Sequence, residues 1–199
     1  MSLDLLIQRG STFKYVFRWG TDPIVYKPIS AVVSLAPLRV TVTGHGLPDG
    51  WPVAVSDVLG MINVNAKSTP PRKSDYIKVK VVDPNTLEFN GINATSFPTY
   101  ISGGNIQYKT PVDLTGYTGS LEFRMRPDLT LPILFAMNSA NGRIVFDNTL
   151  KTITLTALAV DTVPVVLNLA TYDLELTSPG GIKTKLLSGT GTTVDESTA

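Results

Sequence analysis

The chain has a single histidine, His45, within the stretch TVTGHGLPDGWPVAV at positions 41–55. Histidine is the commonest general base near neutral pH, but it then needs a nucleophile or an orienting acid beside it. Here it stands between two glycines and precedes Leu-Pro-Asp-Gly. Glycine takes positive φ freely, and histidine tolerates the left-handed region better than most residues. We therefore interpret His45 as the corner of a strand reversal and not as a catalyst.

Paired carboxylates are the second set that could do chemistry, since two of them can hydrolyse a glycosidic bond. The candidate acids fall in turns or on polar strand faces, where we interpret them as solvated: Asp49, Asp83, Asp147, Asp173 and Glu175. One histidine and no cysteine exclude multi-histidine and cysteine-ligated zinc sites. SGTGTT at 188–193 lacks the lysine and the following helix of a phosphate-binding loop. We expect no catalytic residue, no cofactor and no metal.

Hydrophobic content, net charge and the lengths of apolar runs limit the classes of partner that the chain can bind. Of the 199 residues 43% are hydrophobic, enough for a substantial core, and the formal charge of +1 gives no overall attraction to nucleic acid or an anionic membrane. The N-terminus lacks the basic start and apolar run of a signal peptide, and no apolar run reaches the roughly 18–20 residues that span a bilayer. We expect neither a nucleic-acid nor a membrane partner.

Basic side chains on expected strands are a remaining way to hold an anionic partner. Gathered on one sheet face, such a set would comprise Lys14, Arg18, Arg124, Arg126 and Arg143. Strand alternation alone places polar faces in water, so we interpret these residues as solvated too.

Period-two alternation dominates the pattern and predicts antiparallel β-structure. In FKYVFRW at 13–19, every second residue is aromatic. The same alternation places further apolar side chains on inward faces: Ile77, Val79, Val81, Leu121, Phe123, Met125, Ile153, Leu155, Leu174 and Leu176. Proline interrupts 131–139 and 156–168, so we expect at most a turn or two of helix there, near 157–160. Asp83-Pro84-Asn85-Thr86 and Ser178-Pro179-Gly180-Gly181 predict hairpin turns.

Domain organisation follows from a change of composition along the chain. Residues 31–108 carry their own strands and turns, whereas 1–30 contain too little to fold alone. We predict an all-β protein with a discontinuous antiparallel β-sandwich, 1–30 and 109–199, and a small β-barrel domain inserted at 31–108.

The inserted segment contains RVTVTGHGLPDGWPVAVSDVLGMINVN, VKVVDPNTLEFNGIN and TSFPTYISGGNIQY. It resembles the FCCH-like β-barrel module, named after a half-domain of ubiquitin-activating enzymes and common in phage virion proteins. The resemblance implies a fold and not a chemistry, because these modules occur as structural insertions.

The flanking segments include RGSTFKYVFRW, PVDLTGYTGSLEFRMRP and ATYDLELTSPGGIKTKLLSGTGTTVDEST. They resemble the N-terminal β-sandwich of phage baseplate upper proteins and tail-fibre attachment proteins. Those proteins often continue into a long fibre, whereas this sequence ends at Ala199. We therefore expect either the adaptor without its fibre or a fragment of a longer chain.

The resemblance implies a structural virion protein of a tailed bacteriophage, made in the host cytoplasm, and not an enzyme. It would dock in several symmetric copies on tail or baseplate proteins and help to attach receptor-binding fibres. Such a role needs apolar surface buried on assembly, and the candidates are LPILFAM at 131–137 and VPVVLNL at 163–169, which core packing explains equally well. The alternative is a carbohydrate-binding module that presents Trp51, Tyr76 or Tyr100 to sugars.

Overall fold

The structure is a computed structural model that describes residues 3–195. It confirms the predicted all-β, sandwich-like class, with several antiparallel sheets packed together. No helix in that range is long and apolar enough to cross a membrane. In chain order the elements are β1 (Leu5–Gln8), β2 (Phe13–Phe17), β3 (Gly20–Pro28), β4 (Ala31–Leu35), β5 (Leu38–Thr41), β6 (Pro52–Leu59), β7 (Ile77–Lys78), β8 (Lys80–Asp83), β9 (Thr86–Phe89), β10 (Ser102–Pro111), β11 (Thr118–Arg124), β12 (Phe135–Asn138), β13 (Ile144–Asp147), β14 (Thr152–Ala157), α1 (Ala159–Thr162), β15 (Ala170–Thr177) and β16 (Lys183–Val194).

The described chain divides into two compact units. The outer unit comprises the residues up to Trp19 together with those from Asp113 onward, and the inserted unit is Gly20–Val112. These boundaries correct the ones predicted at 30/31 and 108/109. The physical reason is that β3 pairs with β10 in antiparallel register from Pro28↔Asn105 to Gly20↔Pro111, so residues 20–30 belong to the inserted unit.

The outer unit contains a five-stranded sheet, ordered β1-β16-β15-β11-β12, and a three-stranded sheet, ordered β13-β14-β2. Among the strand pairs described in this unit, only β1–β16 is parallel. Burial alternates residue by residue along all eight residues of β15, which confirms that Leu174 and Leu176 point inward. A second alternating set on β11 buries Leu121 and Phe123. The predicted inward position of Met125 is wrong, because β11 ends at Arg124 and Met125 is exposed.

The inserted unit contains two four-stranded sheets, ordered β3-β10-β6-β7 and β4-β5-β9-β8. The two sheets meet at both edges, because β4 follows β3 and β8 follows β7 with only one or two residues between them. Backbone hydrogen bonds continue through both corners, from the Ile29 N–H to Gly104 and from the Val79 N–H to Trp51, which is compatible with the predicted small barrel. The two sheets enclose one core to which both contribute: Leu38, Val40, Val53, Val55, Leu87, Phe89, Ile106 and Tyr108. The predicted hairpin at 83–86 is confirmed by the pairing of Asp83 with Thr86.

The two proline-containing stretches adopt different structures. Residues 156–168 hold the single turn of α1, as predicted. Residues 131–139 contain no helix, which agrees with the expectation of at most a turn or two. Instead β12 joins the edge of the five-stranded sheet, where Met137 pairs with Leu121 and Phe135 with Phe123.

Candidate functional site

His45 is a buried structural residue at the corner of the inserted unit, only 3% exposed. Its Nδ1 accepts the Leu47 N–H at 3.1 Å, so the ring proton is on Nε2, which donates to the Asp83 carbonyl oxygen at 2.9 Å. The Tyr108 hydroxyl donates to the His45 carbonyl oxygen at 3.0 Å. Both ring nitrogens are therefore engaged with backbone groups.

The glycines around His45 make the reversal possible. Gly44 and Gly46 have φ of 58° and 64°, in the left-handed region that side chains with a Cβ rarely adopt. The Asn85 side-chain oxygen accepts the Gly44 N–H at 2.8 Å, which ties this corner to the β8–β9 hairpin. The stretch is thus a strand reversal, as the glycine pattern predicts, and hydrogen bonds connect it to the reversal between β8 and β9.

Each of the candidate carboxylates is held by a backbone hydrogen bond or an ion pair. In the inserted unit, Asp49 accepts the Val81 N–H at 2.8 Å and Asp83 accepts the Asn85 N–H at 2.7 Å. That last bond, with the Thr86 hydroxyl, holds the pKa of Asp83 below its ordinary value. In the outer unit the remaining three cap a turn or pair with lysines: Asp147 with the Leu150 N–H, Asp173 with Lys185, and Glu175 with Lys183. No group of three or more metal-ligating side chains occurs within residues 3–195.

An open groove of about 770 Å³ lies on the polar face of the five-stranded sheet, and its charges neutralise one another. Arg124 donates to Glu122 at 2.7 Å and to the carbonyl oxygens of Leu129 and Leu131, while Lys185 binds Asp173 at 2.7 Å. The five basic side chains do not gather on one sheet face, because Lys14 lies on β2 of the other sheet. Arg143 is committed elsewhere, to Asp161 at 2.9 Å and to the Phe135 ring.

Residues 158–169, which we call the apolar segment, expose more aliphatic surface than either predicted stretch as a whole. Of 163–169, Val165 and Leu167 are core, and of 131–137, Phe135 and Met137 are core. Between 158 and 169 the exposed aliphatic side chains are Leu158, Val160, Val163, Val166 and Leu169. Leu169 is 65% exposed and also has a φ of 58°. A leucine in that region costs about 1–2 kcal/mol, so surrounding contacts must hold it there.

The backbone of the apolar segment is fixed by neighbours within the outer unit. Leu167 exchanges two hydrogen bonds with Thr193, and Arg9 Nε donates to the Val163 carbonyl oxygen at 3.0 Å. At its start, Asp161 accepts the Leu158 N–H at 3.0 Å and pairs with Arg143. The exposed side chains therefore project from an ordered backbone.

Titration of Asp161 gives a testable consequence of this arrangement. The Arg143 hydrogen bond, with that from the Leu158 N–H, lowers the pKa of Asp161 below its ordinary 3.8. A depressed pKa stabilises the fold above 3.8, and the stabilisation is lost as the pH falls through the folded-state value. The Leu158 amide proton shift should therefore titrate with a midpoint below 3.8. Asp161→Asn should abolish this transition, and a midpoint above 3.8 would contradict the contact.

The three aromatic residues offered for sugar contact differ in burial and in hydrogen bonding. Trp51 is 2% exposed, and its indole N–H donates to the Lys109 carbonyl oxygen at 3.1 Å, so its predicted surface position is wrong. The Tyr100 hydroxyl donates to the Gly103 carbonyl oxygen at 2.9 Å and the ring packs against the core. Tyr76 is half-buried, as Tyr100 is.

Strand register places a second tyrosine in the same row as Tyr76. Gln107 of β10 lies opposite Tyr26 on one side and Ala54 on the other. Val53 pairs with Ile77, which puts Tyr76 next to Ala54. Tyr26, Gln107, Ala54 and Tyr76 therefore cross one face of the sheet, and we call this row the tyrosine platform. Tyr26 is 60% exposed; the sequence analysis missed it because its position depends on a register visible only in the fold.

The charges beside the tyrosine platform balance. Burial raises the pKa of Tyr76, and the neighbouring Tyr26 and Asp22 raise it further while Lys109 lowers it. Lys109 and Asp22 form an ion pair at 3.1 Å. The platform thus combines two aromatic rings, an amide and a neutralised charge pair.

No protein-family model matches the chain, and no curated protein matches it either.

Proposed function

We propose that the chain is a structural virion protein of a tailed bacteriophage, which docks on the tail or baseplate and helps to attach receptor-binding fibres. The proposal rests on the resemblance of its two segments to phage modules and on one structural observation, the apolar segment. Its partners are other tail or baseplate proteins and fibres, its place is the virion, and it performs no turnover.

The apolar segment supports docking because five aliphatic side chains are exposed within twelve residues of an ordered backbone. Large contiguous apolar surface on a soluble protein commonly marks a protein–protein contact. Since hydrogen bonds to Thr193 and Arg9 already order this backbone, little conformational entropy is lost when a partner covers it. Several copies of the chain around a symmetric tail would bind through several linked contacts, and the overall affinity would then exceed that of one contact.

The proposal is tested by the protein content of particles. We expect mass spectrometry of gradient-purified virions to find the chain at a constant ratio to the major tail protein. The purified chain alone should be monomeric by light scattering. Absence from particles that form in cells producing the chain would contradict a virion role.

A surface variant tests the apolar segment itself. Val166→Asp with Leu169→Asp should reduce incorporation into particles about tenfold or more, because the two charges would be buried against the partner. Both side chains are exposed, so the double variant should not be destabilised by more than about 0.5 kcal/mol, and aspartate tolerates the positive φ of position 169 better than leucine does.

Val145→Asp is the matched control, because Val145 is 51% and Val166 52% exposed within the same unit. The control should be incorporated normally. Equal incorporation of the double variant and the control would exclude the apolar segment as the docking surface.

A further inference from the structure

Gln107 is a buried residue of β10 whose side-chain amide has no hydrogen-bond partner among the described residues. Its neighbours in β10, Ile106 and Tyr108, belong to the core, so alternation directs Gln107 to the opposite face of the sheet. It is 3% exposed, yet its side chain makes no hydrogen bond with any residue from 3 to 195. The large majority of buried side-chain polar atoms have a partner.

The tip of this amide is nevertheless open to solvent. Within residues 3–195, Arg124 Nε is the one side-chain polar atom that is buried from solvent and also lacks a hydrogen-bond partner. Since the Gln107 amide lacks a partner too, its nitrogen and oxygen are not buried from solvent. The Gln107 amide therefore reaches the surface at the floor of the tyrosine platform. Tyr26, opposite Gln107 in the register, and Tyr76 beyond Ala54 flank that opening.

We propose that the tyrosine platform binds a neutral saccharide. A sugar ring presents C–H groups that pack on aromatic faces, and its hydroxyls both donate and accept hydrogen bonds. The platform offers the complement, with two tyrosine rings and an amide that has two donors and one acceptor oxygen. Lys109 and Asp22 cancel each other's charge, so the platform favours a neutral ligand over a charged one.

This site is independent of the proposed docking surface. The platform lies entirely in the inserted unit and the apolar segment in the outer unit. Loss of saccharide binding and loss of particle incorporation are therefore separable results, and either proposal can fail alone.

The test is calorimetric titration of the whole chain with maltohexaose, cellohexaose, mannohexaose and chitohexaose, together with a proline-rich decapeptide. We expect at least one hexasaccharide to bind with a dissociation constant of about 1 mM or lower. In proton–nitrogen spectra the same saccharide should shift the Gln107 side-chain amide signals.

Variants locate the binding on the platform. Tyr26→Ala and Gln107→Met should each weaken binding of that hexasaccharide about tenfold or more. Neither should lower the thermal midpoint, since Tyr26 is exposed and the Gln107 amide has no internal partner to lose. Gln8→Met, at the exposed glutamine of β1, is the matched control and should bind as the wild type does.

Three results would overturn the proposal. They are no binding of any of the four hexasaccharides, binding of the decapeptide alone, and binding that Tyr26→Ala and Gln107→Met leave unchanged.

Discussion

Trp51→Ala is expected to destabilise the inserted unit by about 3–5 kcal/mol and to leave the outer unit folded. The ring is sealed in the core of the inserted unit, and its indole N–H binds the Lys109 carbonyl oxygen, so the variant loses packing and a hydrogen bond together. Hydrogen-exchange mass spectrometry measures the two units separately, and peptides from residues 20–112 should lose protection selectively.

Trp19→Ala is the control for this prediction. The two tryptophans lie in different units, and Trp19 packs edge-on against Tyr117 at 5.8 Å within the outer unit. Its loss should reduce protection in the outer unit instead. A Trp51→Ala chain with unchanged exchange but reduced saccharide binding would mean that Trp51 is a surface contact after all.

His45→Ala is expected to destabilise the inserted unit by about 2–4 kcal/mol. The variant leaves the Leu47 N–H and the Asp83 carbonyl oxygen without the partners that the imidazole provides, in a corner that is nearly sealed. Urea unfolding of a Trp19→Phe background, in which Trp51 is the sole tryptophan, reports the inserted unit directly.

His45→Gln is the matched variant, because its amide can donate and accept as the imidazole does. It should recover part of the lost free energy of unfolding. If His45→Ala lowered the free energy of unfolding by less than about 0.5 kcal/mol, the proposal that the ring stabilises this corner through its hydrogen bonds would be wrong.

The sequence predicts the fold class well because strand alternation is a local property. Each residue of β15 alternates as its hydrophobic pattern indicates, and the 83–86 turn needs only Asp, Pro, Asn and Thr to be recognised. The His45 corner is also local, since its two glycines permit the reversal whatever the rest of the chain does.

Sequence patterns do not predict features that depend on pairing between strands far apart in the chain. Residues 20–30 look like part of the first segment until β3 is seen beside β10, some eighty residues later. The strand β12 exists because β11 offers it an edge, although its own sequence contains a weak helical pattern. In both segments tertiary pairing overrides the local preference.

The candidate binding surfaces also combine features that the sequence predicts with features that only the fold shows. Alternating burial in 163–169 could be anticipated, but the exposed position of Leu169 comes from a positive φ that no residue preference predicts. Trp51 and Tyr76 are both aromatic residues near turns, and only the fold shows that Trp51 is core and Tyr76 half-buried. Tyr26 joins Tyr76 through three strands, so no local motif could identify the pair.

Photo-crosslinking in assembled particles tests the central proposal most directly. A photoreactive amino acid at position 166 would be incorporated during phage growth, and crosslinked peptides from intact virions would be identified by mass spectrometry. Crosslinks from position 166 to a different tail or baseplate protein are the predicted result, with none from a matched probe at position 145. Crosslinks confined to the chain itself, in particles that contain it, would contradict docking through the apolar segment.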